Sequence, residues 1–149
     1  MRLIASAEAD APAERVLARL LDTEAHERRA RSRGVEVARL DGAGPARAGA
    51  AWRVGYEMLG ARRETLLRVA ALDASGARLV TETAGVRGDV AIAVVALAPE
   101  RSQVDVAVDL AAQGLRGRLL LGALGAARGE LERRLRLGVE SLAANASAR

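Results

Sequence analysis

Hydrophobic and polar positions alternate with a period of two over most of residues 35–110. This spacing is typical of strands that bury one face, and turn-forming runs rich in Gly, Pro, Asp and Ser separate the alternating segments. The pattern predicts six strands, at 35–40, 52–58, 63–72, 78–84, 89–97 and 103–110. A further strand is predicted over 2–8, with Leu3, Ala5 and Ala7 on one side.

Two short helices are predicted between the first strand and the second. Apolar residues at helical spacing indicate one helix over 13–21, and Pro12 suits its first turn. Either Asp10 or Ala11 can be its cap, and the pattern does not choose between them. The second helix, 23–32, opens with acidic residues and closes with arginines, which matches the helix dipole.

The period changes back to that of a helix after Gly114. Apolar positions recur every three or four residues and predict one long helix over 115–143, followed by a frayed tail at 144–149. Glycines inside a helix are unfavourable, so they suggest a large packing contact or a close approach to another element. The glycines in question are Gly117, Gly122, Gly125, Gly129 and Gly138.

The order of these elements predicts one α+β domain over 1–149, with antiparallel strands and helices on one side of the sheet. A helix of about 29 residues would be about 43 Å long. Only a curved sheet wrapped around such a helix would use its full length.

Composition narrows the possible functions. The chain has 149 residues, a net charge of +4, one Trp, one Tyr, no Phe and no Cys. Cysteine chemistry, disulfides and thiolate metal sites are therefore excluded. Every basic residue apart from the single His is an arginine, and alanine is abundant, so basicity is weak evidence for nucleic-acid binding. No segment resembles a secretory signal or is long enough to cross a bilayer, and a cytoplasmic location is the default expectation.

Three segments carry a resemblance to a known superfamily: "SAEADAPAERVLARLLD", "GVEVARLDGAGPARAGAAWRV" and "VDVAVDL" before the long helix. Together they resemble the SRPBCC or START-like superfamily, which includes polyketide cyclase and dehydrase-like proteins, Bet v 1-type proteins and lipid-transfer domains. The most specific element is 10–16; many such proteins have Trp where this chain has Leu17. The resemblance implies a helix-grip fold: a seven-stranded antiparallel curved sheet around the C-terminal helix, with the two short helices closing one end.

The resemblance also implies an apolar cavity between the sheet and the C-terminal helix. Its expected lining is Trp52, Val54, Tyr56, Met58, Leu67, Val69, Val90, Ile92, Val94 and Leu124. The alternative for the aromatic residues and the methionine is plain core packing.

Few polar residues are candidates for chemistry. His26, the single histidine, is expected to be an exposed residue of the second helix; the alternative is an acid–base group at the cavity mouth. Glu82 is expected to point outward because burying an unpaired charge is costly; pointing inward, it would be a candidate site. No catalytic constellation, no metal site and no cofactor motif is found.

These observations favour a non-catalytic protein that binds or carries a small apolar molecule, lipid-like or polyketide-like. The alternatives are a cyclase- or hydrolase-like enzyme using Tyr56, Glu82 or His26, and a protein-interaction module of the chaperone-activator type. The arginines of 28–33 favour a solvated helix end over nucleic-acid binding. Stable membrane insertion is not expected: residues 114–128 could touch a membrane surface, but packing on the sheet explains them better. The oligomeric state stays open.

Overall fold

The computed structural model describes residues 1–148 and contains one seven-stranded antiparallel sheet. The strands are β1 (Arg2–Ala9), β2 (Glu36–Arg39), β3 (Ala51–Met58), β4 (Ala61–Asp73), β5 (Gly76–Thr83), β6 (Val86–Ala98) and β7 (Arg101–Ala112). Their order across the sheet is β1-β7-β6-β5-β4-β3-β2, so the first two strands form the two edges. The predicted α+β helix-grip fold is confirmed.

Within residues 1–148, four helices accompany the sheet: α1 (Ala13–Leu20), α2 (Thr23–Ser32), α3 (Gly114–Ala126) and α4 (Arg128–Ser147). The cap of α1 is Pro12, in extended conformation, rather than Asp10 or Ala11. Asp22 caps α2 by accepting a hydrogen bond from the Ala25 amide at 3.2 Å.

The sheet is bent by two irregularities in its longest strands. The register shifts between Val69 and Ala71 in β4 and between Ala96 and Ala98 in β6. An extra residue in one strand bends that strand and increases its twist. The two bulges therefore help the sheet curl around the helices.

The predicted continuous helix over 115–143 is divided in two at Ala127. Its amide lies within hydrogen-bond distance of both the Ala123 and Leu124 carbonyl groups, and glycines precede and follow the break. Because glycine weakens a helix, this is the segment where the axis can change direction at least cost. The break lets α3 cover one end of the sheet while α4 packs mainly on β1.

Residues 144–147 form the last turn of α4 rather than a frayed tail. Ala146 is fully buried, and the Ser147 hydroxyl accepts a hydrogen bond from the Asp10 amide at 2.9 Å. This contact fixes the end of α4 to the start of the segment leading into α1. Residue 149 of the predicted tail lies outside the described residues.

The core is built from three clusters rather than one. The first joins α1 and α4 to β1, β6 and β7, and its buried members are Ala9, Ala11, Val16, Val94, Val104, Val106, Val139, Ala143 and Ala146. The second, on β3 and β4, contains Ala50, Trp52 and Val69. The third, beneath α3, contains Val86, Leu120 and Leu124. Most of these side chains are small, so the clusters do not merge into one packed layer.

The helical glycines differ sharply in their surroundings. A Cβ on Gly117 would lie 2.1 Å from the carbonyl oxygen of Gly85, whereas one on Gly122 would meet nothing within 4 Å. Gly117 therefore lets α3 lie directly on the β5–β6 turn. The expected close approach is present at this glycine.

Replacing these two glycines by alanine should have opposite effects. Gly117→Ala must push α3 away from the sheet, and we expect a loss of about 1–3 kcal/mol in the free energy of unfolding. Gly122→Ala is the matched control and should gain up to about 1 kcal/mol from its better helix propensity. Urea titration followed by circular dichroism measures both, and equal stabilities for the two variants would contradict the close contact.

Asp41 anchors the loop between β2 and β3. Its carboxylate accepts hydrogen bonds from the Arg39 guanidinium, from the Ala51 amide at 3.1 Å and from Arg47 at 3.3 Å. The hydrogen bond from Arg39, followed by that from Ala51, holds the pKa of Asp41 well below its usual range. The loop is thus tied to both strands through one ionised group.

The stabilisation by Asp41 should depend on pH in a defined direction. Because the folded state lowers its pKa from the ordinary 3.8, the stabilisation is present above that pH and is lost as the pH falls further. We expect the stability difference between the wild type and Asp41→Asn to narrow below about pH 4. Urea titrations across pH measure this, with the exposed Asp89→Asn as control; a pH-independent difference for Asp41→Asn would contradict the account.

Candidate functional site

A cavity of about 330 Å³ lies between α2 and the sheet, and we call it the α2 cavity. Thirteen of its sixteen lining residues are apolar. The lining is Leu20, Leu21, Thr23, His26, Glu27, Ala30, Val37, Ala46, Trp52, Val54, Leu67, Val69, Leu72, Ala77, Leu79 and Ile92. The sequence predicts a cavity between the sheet and the C-terminal helix, and for this cavity that prediction is wrong. The α2 cavity is covered by α2 and the end of α1.

Trp52 forms a fixed wall of the α2 cavity. Only 8% of its surface is exposed, and its indole Nε1 donates a hydrogen bond to Glu27 Oε1 at 3.0 Å. The Arg39 guanidinium lies over the ring, 4.6 Å from its centroid. Because Arg39 is itself held by Asp41, the indole is fixed by α2 on one side and by the β2–β3 loop on the other.

His26 is half-buried and lines the α2 cavity, so the expectation of an exposed histidine is wrong. Its Nε2 lies 2.9 Å from the Leu20 carbonyl oxygen. A carbonyl oxygen only accepts, so Nε2 carries the proton in this hydrogen bond. In the neutral imidazole, Nδ1 is then left as the acceptor.

Glu27 is the functional candidate that sequence reasoning missed. Thr23, His26, Glu27 and Ala30 follow the i, i+3, i+4, i+7 spacing of one helix face, and all four line the cavity. This spacing is visible in the sequence, but three of the four residues are polar. The sequence pattern therefore does not indicate a buried helix face. The charge pattern of α2, with acidic residues first and arginines last, indicates only the direction of the helix dipole.

A second apolar cavity of about 250 Å³, the α3 cavity, lies between the sheet and the beginning of the C-terminal helices. Its lining is Leu3, Tyr56, Met58, Thr65, Thr81, Thr83, Val86, Leu110, Leu120, Leu124 and Leu131. Three of these side chains form a hydroxyl chain, in which Thr65 bonds to Tyr56 at 2.7 Å and also to Thr83. This cavity is thus apolar towards α3 and carries hydroxyl groups on the sheet.

The predicted lining residues are divided among three places. Five line the α2 cavity: Trp52, Val54, Leu67, Val69 and Ile92. Tyr56, Met58 and Leu124 line the α3 cavity. Val90 and Val94 pack in or against the first core cluster beside α1 and α4, because α4 lies over the β1 side of the sheet. Strand phase placed the nine strand residues on the inner face but did not indicate which helix covers each of them.

A wider, polar groove separates α2 and β3 from α4. It measures about 690 Å³ and is lined by Arg33, Gly34, Val35, Tyr56, Glu57, Arg62, Arg134, Leu137 and Gly138. Elsewhere, Glu82 is exposed, as expected. Within residues 1–148, no three His, Asp or Glu side chains lie close enough together to hold a metal ion.

No family model matches the chain, and no curated protein matches it. Solved structures do. A protein of Thermus thermophilus has 19% identity and a TM-score of 0.66, with 95% of this chain and 91% of that one covered. The Zhui aromatase/cyclase of a Streptomyces species has 16% identity and a TM-score of 0.64, with 94% and 98% covered.

A START superfamily protein of Mycobacterium smegmatis has 18% identity and a TM-score of 0.58, with 95% of this chain and 98% of that one covered. These similarities extend over nearly the full length of both chains and rest on shape, since the identities are low. The chain therefore has the helix-grip fold of the SRPBCC/START-like superfamily.

Proposed function

We propose that this protein binds or carries a small apolar molecule in the α2 cavity and does not transform it. The observation that carries the proposal is an apolar space of about 330 Å³ with only three polar lining residues. Small-molecule sites usually enclose about 300–1,000 Å³ and combine an apolar lining with a few orienting polar groups. The volume favours one compact ligand, lipid-like or polyketide-like, over a lipid with two long chains.

Burial of apolar ligand surface would supply most of the affinity. Each square ångström removed from water contributes about 25 cal/mol, and leucine, valine and isoleucine side chains form most of the lining. The indole of Trp52 adds a flat surface already held in place by Glu27 and Arg39. A wall that is fixed before binding loses little conformational entropy when the ligand enters.

The polar groups would orient the ligand rather than hold it. Glu27 presents a carboxylate and His26 an imidazole on the same face of α2. A ligand with one hydroxyl or amine could therefore place it towards α2 and its apolar part against β4 and β5. The fold supports this proposal by analogy, since an aromatase/cyclase and a START superfamily protein have similar structures.

Binding can be tested with N-phenylnaphthylamine, a neutral apolar fluorophore whose emission rises in apolar sites. Trp52 is the one tryptophan and lines the α2 cavity, so binding there should change its emission in step with the rise of probe fluorescence. Val54→Phe fills part of this cavity and should therefore weaken binding by about tenfold. This corresponds to a loss of about 1.4 kcal/mol in binding free energy.

The matched control for that titration is Leu110→Phe, which places the added ring in the α3 cavity. It should leave the affinity within about twofold of the wild type, provided circular dichroism shows both variants folded. A wild type that fails to bind the probe, or a loss of affinity in Leu110→Phe alone, would refute a site at the α2 cavity.

An acid–base enzyme is the second candidate, and one observation favours it. His26 and Glu27 line the same cavity, and the hydrogen bond to Leu20 leaves the imidazole Nδ1 as an acceptor. A carboxylate and an imidazole beside an apolar pocket are groups that general acid–base catalysis uses.

Extraction of small molecules from purified protein separates the two candidates. Glu27→Gln removes the charge but retains an acceptor for the Trp52 indole, and the exposed Glu24→Gln is its control on the same helix. For a carrier, mass spectrometry should find the same compound in the wild type and in both variants. A different compound in Glu27→Gln alone would indicate that the wild type transforms its ligand.

A further inference from the structure

The outer face of α3 carries the two most exposed leucines of residues 1–148. Leu115 is 72% exposed and Leu119 is 69% exposed, one helical turn apart. The opposite face of α3 is buried through Gly117, Leu120 and Leu124. The helix is thus apolar on both sides, and packing on the sheet accounts for only one of them.

Arginines flank the exposed leucines. On a helix, Arg116 and Arg118 project to either side of the line through Leu115 and Leu119, and both arginines are exposed. The segment 114–126 contains no acidic residue. Within the described part of the chain, neither arginine forms an ion pair with a carboxylate, unlike many arginines of α4 and the sheet.

We propose that this face of α3 docks on the surface of an anionic lipid bilayer. An apolar stripe with basic residues along both flanks is the pattern of a helix that lies in the interface between headgroups and acyl chains. The leucines would enter the acyl boundary, and the two guanidinium groups would meet lipid phosphates. No helix within residues 1–148 is long and apolar enough to cross a membrane, so the contact is peripheral.

Charge favours a bilayer over a second copy of the chain on this face. In a two-fold pair of α3 helices, Arg116 and Arg118 would oppose their own copies without a carboxylate in the same helix to offset them. Two leucines also offer far less than the roughly 800 Å² per partner that a standard protein interface buries. An anionic bilayer fits both features of this face. Its headgroups supply negative charge for the arginines, and the insertion of two leucines into it needs no large apolar surface on the protein.

A third exposed leucine lies at the same end of the sheet. Leu59 is 44% exposed at the tip of the β3–β4 hairpin and borders a cleft shared with Leu124 and Ala127. Its φ of 54° and that of Gly60, 73°, indicate the type of tight turn in which Asn, Asp or Gly is preferred. The bilayer would give the exposed side chain of Leu59 an apolar environment.

The proposal is independent of the proposed ligand-binding function, because the face lies on the outside of α3 and needs no occupied cavity. It can be tested by flotation of the purified protein with vesicles of equal parts phosphatidylglycerol and phosphatidylcholine. We expect wild-type protein to float with these vesicles at low salt, to float about tenfold less with pure phosphatidylcholine, and to be released by high salt.

The leucines are tested by the double variant Leu115→Ser/Leu119→Ser, with Ile4→Ser/Leu66→Ser as its control. Ile4 and Leu66 are exposed apolar residues on the outer face of the sheet. We expect the α3 variant to bind the anionic vesicles at least about tenfold more weakly and the control to bind like the wild type. Equal binding by both double variants would overturn the role of the leucines.

The arginines are tested by Arg116→Gln/Arg118→Gln, with Arg68→Gln/Arg78→Gln as a control that loses the same net charge from the sheet. We expect at least about tenfold weaker binding for the α3 pair alone. Equal losses in the two variants would show that net charge rather than this face is responsible. The proposal would be overturned if the wild type did not float with the anionic vesicles. It would also be overturned if the wild type were a dimer in size-exclusion chromatography and Leu115→Ser/Leu119→Ser converted it to a monomer.

Discussion

The inner face of the sheet is mostly apolar, and one helix is too narrow to cover it. Helix α4 packs mainly on β1 with α1 beside it, and there the core is tight, with Val16 and Val104 fully shielded from solvent. The strands farther along the sheet need other cover. Helix α2 supplies it over β3 to β5, and α3 supplies it beside the β5–β6 turn. The positions of the helices and of the two cavities are thus related to the apolar area of the sheet that α4 leaves uncovered.

The small size of the core side chains explains why cavities remain between the sheet and the helices that cover it. Aromatic side chains bury the largest areas in protein cores, and this chain has one Trp, one Tyr and no Phe. Valine, leucine and alanine extend less far from the backbone, so the layers meet only at their closest points. Trp52 is the exception, and it is held by a hydrogen bond and a cation–π contact rather than by close packing alone. The same composition that produces a stable core beside α4 leaves space beneath α2.

The sequence predicted most of the fold because most strand segments alternate clearly between apolar and polar positions, and the change to helical period after Gly114 is clear. The division at Ala127 was not predictable from periodicity, since Leu124 and Leu131 stay in phase across it. The cavity was predicted to follow the C-terminal helix, but covering helices depend on contacts between distant segments, which a local pattern does not record. Glu27 was missed for a related reason: a carboxylate reads as a surface group until its partner, the Trp52 indole, is known. His26 was placed outside because the bond to the Leu20 carbonyl, made across the α1–α2 turn, has no sequence signature.

Native mass spectrometry of the protein as purified tests the central claim, that the α2 cavity is a binding site and not merely unfilled core. The account predicts a discrete additional mass of one compact apolar molecule, with a lower bound fraction when Val54→Phe narrows the cavity and an unchanged one in Leu110→Phe. A bare protein mass would send the next measurement to protein reloaded with apolar compounds extracted from cells. If that too gave only the bare mass, or if the bound fraction in Val54→Phe equalled that of the wild type, the claim would be contradicted.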